Sequence, residues 1–268
     1  MSQDSMALPT MTYEIIEPGI ALVMLNRPER LNAINLAMLD DFQKLFTMLS
    51  KDESVRVLIL TGQGKGFCSG ADLVEAADEK NAHHFADPYT YLAFIQERYS
   101  SLIKGLRDIP QPIIAAINGA AAGGGFCMAL ACDIRITSLE GYFVASFINI
   151  SLSGGELGSS YLLPRLIGLS RAADILYSGR KVAAHEAETS GLVSAVVPQE
   201  RLIETALGYA RTMLAKSPGG LRLTKRVLDQ NLEAPSLSAA MELENRNQAL
   251  LVFSGDFAKM VKSFNVKD

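Results

Sequence analysis

Two glycine-rich turns are the part of the sequence best suited to chemistry. Each follows an apolar strand: residues 58–61 lead into the turn at 66–73, and residues 113–118 lead into the turn at 119–125. Glycine lets the backbone approach a ligand closely, and a helix that begins after such a turn presents unpaired N–H groups with partial positive charge. Two such groups aimed at one point would form an oxyanion hole. Tight packing of strand against helix would also explain each turn, and the spacing leaves both interpretations open.

The sequence motifs for phosphate binding and for thiol catalysis are weaker than the two glycine-rich turns. The run Gly62-Gln63-Gly64-Lys65-Gly66-Phe67 lacks the Ser or Thr that follows the lysine of a P-loop, and neither turn has GxGxxG spacing. Gly66-x-Cys68-x-Gly70 imitates a nucleophile elbow. A thiol hydrolase would need a histidine base, and no catalytic pattern surrounds His83, His84 or His185. The favoured interpretation of Cys68 is a small buried side chain.

The composition excludes several classes of protein. The 268 residues are 49% apolar and 20% charged, which is typical of a globular chain with a full core. The net charge is −4 and no run of Lys or Arg occurs, so we expect no nucleic-acid partner. Three cysteines without a CxxC pair predict reduced thiols in a cytoplasmic protein, and only three histidines argue against a metal site.

One apolar stretch has the length of a membrane span. The 20 residues from Ile113 to Cys132 carry no charge. Asn118 and the triple glycine at 123–125 interrupt the stretch, which favours a buried strand, a turn and a buried helix. We therefore expect no membrane partner. Residues 1–10 contain an acidic side chain and no apolar segment, so we expect no export signal either.

Hydrophobic periodicity predicts the elements that must hold the two turns. Strand and helix patterns alternate over the first two thirds of the chain, a charged loop or lid covers 75–88, and the last third is helical. These patterns predict an α/β core of repeated β-β-α units with a helical cap. The predicted strands cover 19–26, 55–61, 112–118, 133–137, 142–146 and 192–197, and the predicted helices cover 36–49, 91–106, 126–131, 159–167, 171–177, 183–190, 200–215, 220–229 and 236–253.

Short motifs occur in a fixed order along nearly the whole chain. They are Asn26-Arg27-Pro28, Leu31-Asn32-Ala33-Ile34-Asn35, Gly66 to Leu73, Ala116-Ile117-Asn118-Gly119, Gly123-Gly124-Gly125, Cys132-Asp133, Leu163 to Gly168, Ser178-Gly179-Arg180, Ala187 and Gly191-Leu192-Val193. Together these motifs resemble the enoyl-CoA hydratase/isomerase (crotonase) family. The resemblance implies a crotonase-type α/β spiral of β-β-α units over 1–198 and a helical trimerisation region over 199–268. It also implies an enzyme acting on an acyl-CoA thioester, with no cofactor beyond the coenzyme A of the substrate.

The resemblance also assigns roles in catalysis. It implies that the N–H groups of Ala71 and Gly124 bind the thioester oxygen. Hydratases of the family use two glutamates, and the matching positions here carry Cys127 and Phe147. Other members place a carboxylate further along the chain, which makes Glu156 the candidate base or nucleophile. Cys127 remains a less favoured alternative as a catalytic thiol.

Glu156 has a structural interpretation as well. Ser153-x-x-Glu156 fits a capping box, in which the glutamate side chain accepts a hydrogen bond from the N–H of the cap residue. The sequence does not decide between catalysis and capping.

The resemblance implies where coenzyme A and the acyl chain bind. Lysines of the C-terminal helix also fit a solvated helix face, and His83 with His84 fits either the acyl pocket or a solvated loop. The family forms trimers that pair into hexamers, so we expect a homo-oligomer. The candidate substrate-binding residues are Arg30, Leu31, Ala33, Ala71, Asp72, Leu73, Gly124, Phe147, Lys259 and Phe264.

A single carboxylate suits isomerisation better than hydration, because a proton shuttle needs only one acid/base group. The sequence therefore predicts isomerase-like chemistry on an enoyl-CoA thioester. Two alternatives remain open: a non-catalytic acyl-CoA-binding homologue, and an acyl-CoA thioester hydrolase that uses water activated by Glu156.

Overall fold

Ten strands in two sheets and twelve α-helices are found in the part of the chain that the structure describes. The computed structural model describes residues 8–264, with all side chains except those of Ala76 and Phe264. The strands are β1 Met11–Glu17, β2 Ile20–Leu25, β3 Val57–Gly62, β4 Gly66–Cys68, β5 Ile113–Ile117, β6 Ala120–Ala122, β7 Ile134–Ser138, β8 Tyr142–Val144, β9 Lys181–Ala183 and β10 Ala195–Val197. The helices are α1 Leu36–Leu49, α2 Leu73–Ala76, α3 Pro88–Tyr91, α4 Glu97–Asp108, α5 Gly124–Ala131, α6 Ser159–Ile167, α7 Leu169–Ser178, α8 Ala184–Thr189, α9 Leu202–Leu214, α10 Pro218–Asn231, α11 Leu237–Val252 and α12 Gly255–Phe264.

From β3 to β8, consecutive strands alternate between the two sheets. The six-stranded sheet has the order β1-β2-β3-β5-β7-β10, and the four-stranded sheet has the order β4-β6-β8-β9. Each repeat therefore places one strand in each sheet before the chain turns into a helix, as β3-β4, β5-β6 and β7-β8 show. The expected α/β spiral of β-β-α units is confirmed. Sequence patterns missed β1, β4, β6 and β9. Of these, β4, β6 and β9 have three residues each, which are too few to establish an alternation.

Both faces of the six-stranded sheet are buried. Alternate side chains of a strand point to opposite faces, so Leu58 and Leu60 of β3 join one apolar cluster while Val57 and Ile59 join another. The first cluster packs against α1, α4 and α5, and the second packs against α9. The helical region after residue 198 thus begins with a helix that covers the sheet directly.

The charge-free stretch from 113 to 132 forms a strand, a turn and a helix, as its glycines predict. β5 and α5 are buried throughout, and β6 lies between them in the second sheet. No helix in the described part of the chain is both long and apolar enough to cross a membrane.

The segment expected to be a charged loop or lid, 75–88, is instead largely helical. A 3-10 turn covers Glu79–Phe85, and α3 and a π-helical turn at Leu92–Gln96 lead into α4. The side chains of Asp78 and Asp87 accept hydrogen bonds from backbone N–H groups at the start of these turns. Such aspartate caps stabilise short helices without hydrophobic periodicity, which is why the pattern missed them.

A buried lysine joins the C-terminal helices to the core. Lys225 of α10 is 5% exposed, and its Nζ donates to the carbonyls of Leu106 (3.0 Å) and Gln111 (2.9 Å) and lies 3.1 Å from Oδ2 of Asp133. Burial lowers the pKa of Lys225, and the nearby Asp133 carboxylate partly opposes that shift. The ammonium group therefore ties α10 to the connection between α4 and β5.

We expect Lys225→Met to lower the free energy of unfolding by about 2 kcal/mol, because two buried carbonyls and Asp133 lose their donor. Urea unfolding at fixed protein concentration measures the change. Lys51→Met, which removes an exposed lysine, is the matched control and should change stability little. Equal stability of the two variants would contradict the anchoring role of Lys225.

Candidate active site

The two glycine-rich turns meet at Gly70 and Gly124. Gly70 has φ +96°, and a Cβ added there would lie 2.9 Å from the carbonyl oxygen of Ala122 and 3.2 Å from the nitrogen of Gly124. Gly125 also lies close to the first turn, since a Cβ placed on it would collide with the carbonyl of Cys68. Glycine is thus required where the backbones cross, and the pairing brings the first turn against the start of α5.

A short stretch of chain beside the first turn determines which way its N–H groups point. Ile34 N donates to the Gly70 carbonyl (2.7 Å), and Asp72 N donates to the Ile34 carbonyl (2.9 Å). This parallel bridge leaves the intervening N–H of Ala71 pointing away from Ile34. Within residues 8–264, the N–H of Ala71 and that of Gly124 donate to no protein acceptor. Gly124 is the first residue of α5, where a helix has unpaired donors.

An ion pair and two amides fix the first turn. Arg27 Nη2 lies 2.8 Å from Oδ2 of Asp72, and Nη1 donates to the Ala33 carbonyl. Burial opposes ionisation of Asp72, but the hydrogen bonds from Arg27 and from the N–H of Glu75 lower its pKa below the usual value. The side chains of Asn32 and Asn118 both donate to the Gly66 carbonyl (2.8 and 3.2 Å).

Glu156 lies in the loop before α6, next to α5. The thiol of Cys127 donates to its backbone carbonyl (Sγ–O 3.4 Å), and the N–H of Glu156 donates to Oγ of Ser159 (3.0 Å). Its side chain accepts a hydrogen bond from Nε2 of Gln96. The next residue, Leu157, reaches within 3.8 Å of a Cβ placed on Gly124. The loop therefore packs against the start of the helix that carries the unpaired Gly124 N–H.

The capping-box interpretation of Glu156 is wrong. α6 begins at Ser159 with Gly158 in the cap position, and no side chain caps it. The hydroxyl of Ser153 accepts from the N–H of Gly155 (3.2 Å). Because Gly158 has φ +79°, the chain turns sharply after Glu156, and the carboxylate faces Gln96 rather than the helix end.

The cysteines have the properties of buried apolar residues. Burial raises the pKa of Cys68 and of Cys132 to about 12. The pKa of Cys127 is also raised, first by burial and then by the charge of Glu156. Thiols with such pKa values hold almost no thiolate at neutral pH, which removes the condition for nucleophilic catalysis. The favoured interpretation of Cys68 as a small buried residue agrees with this environment.

The remaining candidate residues divide into two groups. Arg30, Leu31 and Ala33 lie on the stretch that flanks the first turn, where the N–H of Ser69 donates to the Leu31 carbonyl (3.0 Å). Arg30, Leu31 and Leu73 are exposed, whereas Ala33 and Asp72 are buried. The half-buried ring of Phe147 lies 3.7 Å from a Cβ placed on Gly123, so this candidate is also brought to the turns.

The second group lies away from the two turns. Lys259 is exposed on α12, a helix that packs against α11. The side chain of Phe264 lies outside the described residues. His83 is exposed, and the half-buried His84 ring lies 5.8 Å from that of Phe94. The contribution of Lys259 and Phe264 to substrate binding stays a prediction.

Sequence reasoning missed Gln96 and Tyr99. Tyr99 donates from its hydroxyl to the Ile34 carbonyl (2.9 Å), and Gln96 donates to Glu156, 60 residues away in the chain. With Phe85 and Ile95, Tyr99 also lines a cavity of about 30 Å³ beside Ile34. No spacing rule connects residues so far apart in sequence, so only the folded structure reveals these contacts.

A comparison with known proteins assigns the family. The Enoyl-CoA hydratase/isomerase family profile matches residues 15–267. The chain belongs to the enoyl-CoA hydratase/isomerase family. The expected family, crotonase-type fold and enzyme class, hydratase/isomerase, are therefore confirmed.

Individual relatives differ in the reaction that their names state. The chain is 46% identical over 231 residues to a probable enoyl-CoA hydratase of Mycobacterium bovis, covering 86% of this chain and 81% of the relative. It is 34% identical to the 1,2-epoxyphenylacetyl-CoA isomerase of Escherichia coli, covering 94% of each. The solved structure of a monofunctional enoyl CoA isomerase from M. smegmatis is similar with a TM-score of 0.74 at 44% identity, over 87% of this chain and 98% of that one.

We expect Asp72→Asn to lower stability by about 2 kcal/mol at pH 7, because Arg27 loses its charged acceptor. The native pKa of Asp72 is lowered, so its ionisation stabilises the fold above the ordinary carboxyl pKa of about 3.9. That contribution is lost as the pH falls through the lowered value. Urea unfolding from pH 7 downward should show the difference between wild type and variant shrinking. A pH-independent difference would contradict the role of the carboxylate charge.

Proposed function

We propose that this protein isomerises an enoyl-CoA thioester with one carboxylate, Glu156, as the acid/base group. One observation carries the proposal: the Glu156 loop packs on the start of α5, while the two positions that hold glutamate in hydratases carry a buried cysteine, Cys127, and an aromatic ring, Phe147. The pair of acids needed for ordinary hydration is absent from these positions. A single carboxylate on this loop fits a proton shuttle.

The proposed reaction begins with the thioester oxygen accepting hydrogen bonds from the N–H groups of Ala71 and Gly124. Glu156 removes a proton from the carbon next to the thioester of a 3-enoyl chain, and the electron pair delocalises into a dienolate whose charge the two donors stabilise. The same carboxylic acid returns its proton to the fourth carbon, so the double bond moves to the 2,3 position. Atoms and charge balance without water or a cofactor.

The surroundings of the two turns support an acyl-CoA substrate. Exposed Arg30 and Leu31 border the first turn and are proposed to contact the coenzyme A arm. The small cavity beside Ile34 is walled by Phe85, Ile95 and Tyr99, and we propose that the acyl chain binds on this side of the first turn. Two relatives named as isomerases, from E. coli and M. smegmatis, support the isomerase proposal, whereas the M. bovis relative is named for hydration.

Glu156→Gln should lower kcat for conversion of a 3-enoyl-CoA to the 2-enoyl-CoA by about 10²- to 10⁴-fold, because the proton acceptor is lost while the thioester donors remain. The increase in absorbance of the conjugated product measures the rate. Glu97→Gln, at the exposed first position of α4, is the matched control and should leave kcat unchanged.

Four outcomes exclude the proposal. Undiminished turnover by Glu156→Gln would remove Glu156 from the mechanism. Hydration of crotonyl-CoA faster than isomerisation would favour a lyase, and release of free thiol would favour a hydrolase. Tight binding of acyl-CoA without turnover of any thioester would favour a non-catalytic homologue.

We further propose that the C-terminal helices assemble the chain into a trimer or hexamer. Helices α10 to α12 expose many large apolar side chains, and Phe253 at the junction of α11 and α12 is 90% exposed. Exposed apolar side chains concentrated in one region of a chain are typical of a protein interface. A second copy of the chain is the proposed partner, and its α12 could bring Lys259 to a neighbouring coenzyme A site. The exposed apolar residues are Leu228, Leu232, Leu237, Met241, Leu250, Val252, Phe253, Phe257, Met260 and Val261.

Phe253→Glu should reduce the molar mass of the assembly, because the new charge would be buried between copies. Size-exclusion chromatography with light scattering measures the mass at fixed concentration. Leu139→Glu makes a comparable change at an exposed apolar residue of the β7–β8 turn and should leave the mass unchanged. A monomeric wild type, or an unchanged mass for Phe253→Glu, would contradict the proposal.

A further inference from the structure

A glutamine on the helix that precedes the second glycine-rich turn contacts the proposed base. The Nε2 of Gln96 donates a hydrogen bond to Oε1 of Glu156, and Gln96 is half-buried. An ionised carboxylate only accepts hydrogen bonds, so the amide must present its NH₂ group to Glu156. One oxygen of Glu156 is occupied in this way, and no protein donor among residues 8–264 reaches Oε2.

The same helical surface also contacts the first turn. Gln96 and Tyr99 are three residues apart, which places them on one face of a helix. Tyr99 donates to the carbonyl of Ile34, the residue that pairs with Ala71. One rigid face therefore touches both the base and the stretch that orients the Ala71 N–H.

A local irregularity of the helix accompanies this arrangement. The π-helical turn Leu92–Gln96 ends at Gln96 and interrupts the path from α3 into α4. A single extra residue in a helical turn rotates the preceding side chains by about 100° relative to those that follow. Such turns concentrate at functional sites. Ile95 remains buried at this turn while the neighbouring Gln96 faces Glu156.

We propose that Gln96 is a positioning residue that holds the Glu156 carboxylate in the orientation for proton transfer. It binds Oε1, which leaves Oε2 as the oxygen that takes the substrate proton. Because Tyr99 on the same face secures the Ile34–Ala71 bridge, the π-helical turn and α4 together set the distance between base and oxyanion donors. The inference rests on the proposed function, since it assigns Glu156 the role of base.

Two other polar groups face the Glu156 site. The hydroxyl of Tyr91 on α3 and the thiol of Cys127 on α5 lie near enough that the charge of Glu156 contributes to their raised pKa values, after burial. Both groups are neutral at neutral pH. Neither makes a hydrogen bond to the Glu156 carboxylate in the described structure. Gln96 is therefore the side chain that orients it.

The test is a double-mutant cycle of Gln96→Met and Glu156→Gln. Methionine keeps the length of the side chain and removes the donor. In the wild-type background, Gln96→Met should lower kcat about 10-fold with KM nearly unchanged, because substrate binding does not use Gln96. In the Glu156→Gln background, the same substitution should have little further effect on kcat. Gln43→Met, an exposed position on α1, is the matched control and should leave kcat unchanged.

The outcomes separate the two proposals. If Glu156→Gln leaves turnover unchanged, the proposed function fails. If Glu156→Gln abolishes turnover but Gln96→Met leaves kcat unchanged or raises it, only the role of Gln96 fails. Additive losses in the cycle, or a rise in KM equal to the loss in kcat/KM, would also overturn it. Thermal unfolding of each variant identifies loss through misfolding, and Gln96→Asn, which keeps the amide on a shorter side chain, should retain more activity than Gln96→Met.

Discussion

The close approach of two backbone turns is the constraint on which the site depends. Gly70 and Gly124 lie so near each other that a side chain at the first would contact the backbone of the second. The Ile34–Ala71 bridge then rotates the first turn so that the Ala71 N–H has no partner within the described chain. Unpaired donors are costly in a folded protein, and here the spiral of β-β-α units holds them in place.

A site built from backbone donors leaves the reaction to be determined by the side chains around it. In the proposed mechanism Ala71 and Gly124 bind the thioester oxygen whichever reaction follows, so the position of the acid/base groups decides the product. In this chain the α5 position that holds glutamate in hydratases carries Cys127, whose thiol donates a hydrogen bond to the Glu156 carbonyl. The carboxylate enters from the following loop instead. Gln96, at the end of the π-helical turn before α4, donates a hydrogen bond to this carboxylate, and Tyr99 on the same helical face donates to Ile34.

Much of the fold could be predicted from sequence because its signals are local. α1 and α6 have the predicted bounds, since the apolar spacing of a buried helix face spans several turns. The three-residue strands β4 and β6 escaped prediction, although each leads directly into a glycine-rich turn of the site. The capped helices of 75–88 also escaped, because side-chain caps rather than periodicity stabilise them. The capping box at Glu156 was predicted wrongly. The local pattern matched, but the left-handed conformation of Gly158 turns the chain away from that geometry.

The sequence by itself determined the two glycine-rich turns, the missing glutamates and the family, because these reside in residue types and short-range spacing. Only the tertiary structure decided three hydrogen bonds between distant segments. Gln96 donates to Glu156, 60 residues away in the chain, Tyr99 donates to Ile34, and Lys225 of α10 donates to Leu106 of α4. Side-chain contacts between distant segments depend on how the sheets twist and the helices pack. No local pattern encodes that geometry, so the orientation of the base is a property of the assembled fold.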